Sequence, residues 1–232
     1  NVFNQCSAIA RRLGPMDHER ALIIGDPSID HAMFSLPELP SAFREAELIG
    51  TLYNPATVLT GDMVRKADVC VGMGRADVIH LAMHYVVDER SPMLSEFLLA
   101  KQKNNMGKGS LEEEVLRAYE LYGLRLPHTR LVVLAACQTA VERFYGGEGA
   151  LSISRPFLMA GVPLVLSTLW SVDSTNTVDL MVAFHTYRKT AGLTTVAALR
   201  QSQLDTLNGP DERSRRPYYW AAFVVMGGHA KF

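Results

Sequence analysis

Leu131-Val132-Val133-Leu134-Ala135-Ala136-Cys137-Gln138-Thr139 is an apolar run that closes in a small-residue elbow around a cysteine. No polar residue interrupts it before the elbow, so it reads as a strand buried on both faces, the kind found in a covered, mostly parallel sheet. A second such run, Ala76 to Val87, contains Val78-Ile79-His80-Leu81-Ala82-Met83-His84 and carries imidazoles toward its carboxyl end. Ala21 to Pro27, Thr57 to Thr60, Val162 to Leu169 and Trp220 to Met226 supply four more strands, and Met93 to Ala100 a short strand or hairpin arm.

Helical spacing fills the intervals. Ser41 to Tyr53 places Ala42, Phe43, Ala46, Leu48, Ile49 and Leu52 between polar positions, with Ser41 available as a cap and Glu45 supporting the first turn. Residues 62–73, 111–122, 149–160 (closed by Gly161), 175–190 and 195–207 follow as helices, and 1–20 as a helical lead-in. Strands alternating with helices predict an α/β three-layer sandwich: a six-strand, mostly parallel core sheet with helices on both faces. No repeat or linker calls for a second domain, so 21–232 reads as one unit. The first residue is Asn1 rather than Met, which reads as a piece of a longer or processed chain.

Composition narrows the function. The 232 residues are 48% hydrophobic, and 23 basic against 24 acidic side chains leave a net charge of −1. Neither nucleic acid nor a membrane surface is implied as a partner. No apolar run is long enough to span a bilayer, and no signal peptide stands out. Three cysteines at unrelated spacings, Cys6, Cys70 and Cys137, make no disulfide framework and no zinc site, and fit a reducing, cytoplasmic setting.

In an open α/β sheet, sites form outside the carboxyl ends of the strands. Cys137 and His84 both fall there, 53 residues apart (137 − 84). A thiolate beside an imidazole is an activated nucleophile, and the imidazole can then protonate a leaving amine. His80 has the same strand parity as His84, so spacing alone leaves either as the base. Backbone N–H groups at Cys137 and just after the histidine, at Tyr85, would form an oxyanion hole. Against this stands the ordinary role of a strand cysteine as a small buried hydrophobe. The glycines Gly146, Gly147 and Gly149 suggest, more weakly, a small-molecule-binding domain, and Glu148 suits a helix N-terminus.

The ordered segments from about Ala21 to Gly228 resemble a CHAT domain, a caspase-like cysteine peptidase family related to separase. Ala76 to His84 resembles the family's strand ending in its catalytic histidine, and Leu131 to Thr139 the strand and elbow of its cysteine. Gly146-Gly147-Glu148-Gly149, Phe157 to Pro163, Ser167 to Asp173 and Pro217 to Phe223 resemble the turn, helix, loop and closing strand that follow. The resemblance implies a caspase-like fold, a His84–Cys137 dyad cleaving protein substrates through a thioester, and no metal or organic cofactor. It makes His84 the base and leaves His80 a packed or hydrogen-bonded strand residue. It implies a substrate pocket at Asp173, whose carboxylate would pair with a basic side chain; Asp173 or Ser174 would also cap the next helix. An upstream helical-repeat or regulatory partner, and roles in bacterial signalling or defence, are further implications. Tyr85 and Ala140 replace glycines usual in the family, and Gln138 a common acidic residue. These replacements suit the alternative, a catalytically degenerate signalling or interaction domain.

Overall fold

The computed structural model describes residues 2–88, 90–102, 111–135, 143–145, 149–151, 153–172 and 174–232. Helix α1 (Val2–Leu13) leads to β1 (Ala21–Pro27), α2 (Pro40–Gly50), β2 (Ala56–Gly61), α3 (Lys66–Arg75) and β3 (Val78–Ala82). The short strands β4 (Tyr85–Val86) and β5 (Glu96–Leu98) come next, then α4 (Leu111–Glu114), β6 (Val115–Arg117) and α5 (Ala118–Leu121). After β7 (Leu131–Leu134) come β8 (Arg143–Tyr145), β9 (Gly149–Leu151), α6 (Ser154–Met159) and β10 (Leu164–Thr168). Helices α7 (Ser174–Lys189), α8 (Thr195–Asn208) and α9 (Pro217–Trp220) precede the last strand, β11 (Phe223–Gly227).

Six strands form the main sheet in the order β11-β10-β7-β3-β1-β2, parallel except for β11. Alternating residues of each central strand feed two cores, as the two-residue period requires. Leu22, Ile24, Ile79, Leu81, Val132 and Leu134 pack with Val69 and Met73 of α3 and Phe157 of α6. Ala21, Ile23, Val78, Leu131 and Val133 pack on the other face with Ile49 of α2, Phe184 of α7 and Leu199 of α8. The expected three-layer α/β sandwich is what the chain forms. Helix α2 lies close on β1 because Gly25 has no side chain to hold it off: a Cβ there would stand 2.3 Å from the Ala42 carbonyl oxygen. Helix α1 packs on β11, where Ser7 Oγ accepts from the His229 N–H.

Four local expectations change. Helix α2 begins at Pro40 with no side-chain cap, so Ser41 does not cap it; proline at the first position already presets φ. The helix expected over 111–122 is interrupted by β6. Val115 and Leu116 fit a helical stripe, but both are buried by pairing with Leu98 and Phe97 of β5. The helix expected from Gly149 starts only at Ser154, because Gly149–Leu151 pairs antiparallel with Arg143–Tyr145; it does close at Gly161, at φ +103°. The long strand expected over 76–87 leaves the main sheet after Ala82 and resumes as β4 in a small sheet of order β4-β5-β6.

Candidate active site

The break after Ala82 is what makes a site. β3 is parallel to β1 on one side and β7 on the other, and its ladder with β1 ends at Gly25↔Ala82. Asp26, at φ 46°, then turns β1 away, leaving the next residues of the β3 segment without a strand partner on that side. Met83 still points into the core, but His84 stands half-buried at the carboxyl edge of the sheet.

Two bonds from backbone groups hold His84. Its carbonyl accepts from the Leu98 N–H of β5 at 3.1 Å. Its ring Nε2 lies 2.7 Å from the carbonyl oxygen of Pro37. A carbonyl can only accept, so Nε2 carries the hydrogen and the neutral ring keeps its lone pair on Nδ1. The tautomer of the candidate base is therefore set by a backbone oxygen. Pro37 belongs to the 28–39 connection, itself shaped by Asp26 Oδ1 accepting from the Leu39 N–H, Asp30 Oδ1 accepting from the Ala32 N–H, and His31 Nδ1 donating to the Leu36 carbonyl. Lys101 pins the same connection from outside, pairing with Asp30 at 2.7 Å and donating its N–H to the Ser28 carbonyl. Beside His84 lies a cavity of about 270 Å³, walled by Asp26, Ser28, His31, Pro37, Glu38 and Phe43.

Tyr85 follows in β4. Its ring packs on Phe97 with centroids 4.9 Å apart, and burial pushes its phenol up to about 12. Opposite residues of an antiparallel pair alternate between hydrogen-bonded and non-bonded. Because His84 takes the bond from Leu98, Tyr85 is the non-bonded position opposite Phe97, and its N–H turns away from β5. Asp88 fixes the following turn, its Oδ1 accepting from the N–H groups of Arg90 and Ser91.

His80 lies deeper on the same segment, under α2, and never reaches the edge. It is fully buried, with Nε2 2.8 Å from Glu45 Oε1 and Nδ1 3.2 Å from His185 Nε2. Glu45, expected to support the first turn of its helix, is instead a buried partner of β3. Cys137 and Asp173 lie outside the described residues, as do Gln138, Ala140, Gly146, Gly147 and Glu148. The strand leading to Cys137 is described. β7 pairs with β3 as Val78↔Leu131 through Leu81↔Leu134, a constant offset of 53 (131 − 78). The loop leading to Asp173 is anchored by Trp170 Nε1 donating to the Tyr218 carbonyl and by the Leu169 N–H donating to Ala222.

No residue pattern pointed to the Pro37 carbonyl, because a backbone acceptor has no residue signature. The nearest hint is the proline density of the connection, with Pro27, Pro37 and Pro40. Among the described residues no three His, Cys, Asp or Glu side chains gather as a metal site, and no helix is long and apolar enough to cross a membrane.

Similarity to known proteins agrees with this architecture. Tetratricopeptide repeat protein 28 of Homo sapiens is 25% identical over 245 residues, and its Mus musculus counterpart 26%. Each alignment covers 91% of this chain, which spans only about a tenth (9% and 10%) of those proteins. The chain superposes on separase of the Saccharomyces cerevisiae separase–securin complex with a TM-score of 0.61 at 13% identity, over 98% of this chain and 13% of that one. RgpB of Porphyromonas gingivalis, in its complex of pro- and mature domains, gives 0.58 at 9% identity, over 97% and 51%. At these identities the likeness is one of fold. The CHAT domain family model matches residues 4–228, and with nearly the whole length matched, the chain belongs to the CHAT domain family.

Proposed function

We propose that this domain is a cysteine endopeptidase in which Cys137 is the nucleophile and His84 its base. One observation carries the reading. The β3–β7 register offset is 53, and His84 and Cys137 are separated by the same number, so each stands three residues past the last paired residues, Leu81 and Leu134. Parallel neighbours in register bring their carboxyl ends to the same level of one sheet edge. The Pro37 carbonyl supports it further, since the proton it holds on Nε2 leaves Nδ1 to take the thiol proton.

In this reading the Cys137 thiolate attacks the scissile carbonyl carbon. The N–H groups of Tyr85 and Cys137 receive the oxyanion, and the protonated imidazole passes its proton to the leaving amine. Water then hydrolyses the thioester. Asp173 would select a basic residue before the cut. The superposition on the Arg-specific cysteine proteinase gingipain R, with a TM-score of 0.52 at 9% identity over 90% of this chain and 46% of that one, suits such a pocket. The repeat proteins among the relatives favour a partner or upstream module that gates the site. A cytoplasmic location, and no need of a cofactor, belong to the same proposal.

The test is alkylation by iodoacetamide at neutral pH, read by mass spectrometry of the Cys137 peptide, beside a peptide-library digest by the native chain, Cys137→Ala and the longer parent. Burial raises the thiols of Cys6 and Cys70, which therefore serve as slow internal references. Cys137 is expected to outpace both, to slow at least tenfold in His84→Ala, and to be required for any cleavage. Equal rates in native and His84→Ala protein, with no Cys137-dependent cleavage by domain or parent, would overturn the dyad. That outcome would favour a non-catalytic interaction domain, a reading that the tyrosine at position 85 also suits.

A further inference from the structure

Behind the site, on the α2/α7 face of the sheet, six polar side chains are almost wholly buried: Glu19, Glu45, Tyr53, His80, His185 and Arg188. Peptide hydrolysis uses none of them. Their hydrogen bonds form one line. Arg188 Nη1 donates to Tyr53 Oη at 3.1 Å; Tyr53 Oη is 2.7 Å from His185 Nδ1; His185 Nε2 is 3.2 Å from His80 Nδ1; and His80 Nε2 is 2.8 Å from Glu45 Oε1.

The ends of the line fix its direction. A guanidinium only donates and a carboxylate only accepts. Tyr53 thus accepts from Arg188 and gives its own hydrogen to His185 Nδ1. His185 then carries its proton on Nε2 and donates to His80 Nδ1, and His80 donates from Nε2 to Glu45. Every link is satisfied with both imidazoles neutral. The charges also cancel: Arg188 and Lys189 are cations, while Glu45 and Glu19 are anions, with Glu19 Oε1 2.8 Å from Arg188 and Oε2 3.3 Å from Lys189. Farther out, Arg130 at the start of β7 faces Glu19 and Asp77, and Arg20 holds Asp77.

One added proton breaks the pattern. On His80 it places a second N–H opposite the N–H of His185. Relieving that clash reverses His185, whose Nδ1–H then meets the Tyr53 oxygen and leaves the phenol hydrogen without an acceptor in the line. On His185 it sets a new cation between His80 and Arg188. Either way a buried donor or charge goes unmatched, which burial makes costly.

The line ties together the elements that frame the proposed dyad. His80 is four residues before His84 on the same segment; Glu45 lies in the helix that follows Pro37; and His185 and Arg188 lie in the helix that begins just after Asp173. We propose that His185, His80 and Glu45 are positioning residues: a one-way hydrogen-bonded clamp that holds β3 to α2 and α7 and opens when one of its imidazoles takes up a proton. The positioning role rests on the dyad reading above; the clamp itself does not.

The test is hydrogen exchange of Val78–Ala82 and Ser174–Lys189 amides in the native chain from pH 7.5 to 5, corrected for intrinsic rates, beside His185→Gln. Glutamine offers an amide oxygen to accept and an amide NH2 to donate but does not titrate. In the native chain, opening coupled to one proton costs up to tenfold in protection per pH unit below the ordinary histidine range. In His185→Gln that acid dependence is expected to vanish, and with it a matching acid step in Cys137 alkylation. Flat native protection across this range overturns the clamp even if the variant fails to fold, as does the same acid loss in His185→Gln. If alkylation ignores His84 while protection follows His185, the dyad fails and the clamp stands; if alkylation depends on His84 but its pH profile ignores His185→Gln, the positioning role fails.

Discussion

Replacing Gly25 with alanine presses on the junction between sheet and site, and the size of the effect follows from distances. The new Cβ would stand 2.3 Å from the Ala42 carbonyl oxygen and 2.7 Å from Ala46 Cβ, where ordinary contact begins at 3.4 Å. Helix α2 must therefore retreat about 1.1 Å (3.4 − 2.3), since the obstacle is backbone and cannot rotate aside. The same helix carries Glu45, whose oxygen is 2.8 Å from His80 Nε2. A retreat of about 1 Å carries that pair beyond hydrogen-bond range, roughly 3.5 Å. Overpacking costs about 1–3 kcal/mol and a lost bond to a charged group about 1.5–3 kcal/mol, and the two are coupled rather than additive. Gly25→Ala should thus lose about 2–5 kcal/mol in urea unfolding followed by tryptophan fluorescence, and melt roughly 5–15 °C lower. Adding Ala46→Gly should restore little, because it removes only the softer of the two contacts. A loss under about 0.5 kcal/mol, the range of an inert surface change, would refute the claim that α2 is held against β1 by the missing side chain.

Gly74, in α3, is the counterpart: a Cβ there meets nothing within 4 Å, so Gly74→Ala should stabilise by about 0.4–1 kcal/mol in the same assay. Burial, then His80 and Arg188, holds the His185 imidazole well below its ordinary 6.5. The unfolded chain therefore takes that proton first, so this contribution to stability is complete above about pH 6.5 and declines below it by up to ~1.4 kcal/mol per pH unit, a slope that His185→Gln should remove from urea titrations at stepped pH. Phe97, wholly buried beneath Tyr85, should cost about 3–5 kcal/mol when cut to alanine, and Cys137 alkylation should slow because Leu98, the next residue, holds the His84 carbonyl.

What the sequence disclosed depended on whether a residue's partner was local. Strands such as Leu131–Leu134 were legible because burial on both faces demands an unbroken apolar run, whichever strands flank it. Val115 and Leu116 misled because their spacing with Leu111 and Tyr119 also satisfies a helix; only pairing with β5, 17 and 19 residues back (115 − 98 and 116 − 97), decides for a strand. The break after Ala82 was hidden for a similar reason, since Met83 and Tyr85 continue the apolar run while the backbone changes sheets. Glu45 shows the limit most sharply. A carboxylate early in a helix has a sufficient local explanation in the helix dipole, and nothing local says that an imidazole 35 residues onward will reach it. The 53-residue gap between His84 and Cys137 was visible from the start but carried little by itself, since any two strand ends have some separation. It gains force only beside the β3–β7 register, which had to equal that number for the two ends to lie level, and which is set by the hydrophobic pairs from Val78↔Leu131 to Leu81↔Leu134 rather than by the dyad. The core thus fixes the alignment on which the chemistry would depend, and a β7 slipped by one residue would turn Leu131 and Val133 toward the wrong core while offsetting the thiol from the imidazole.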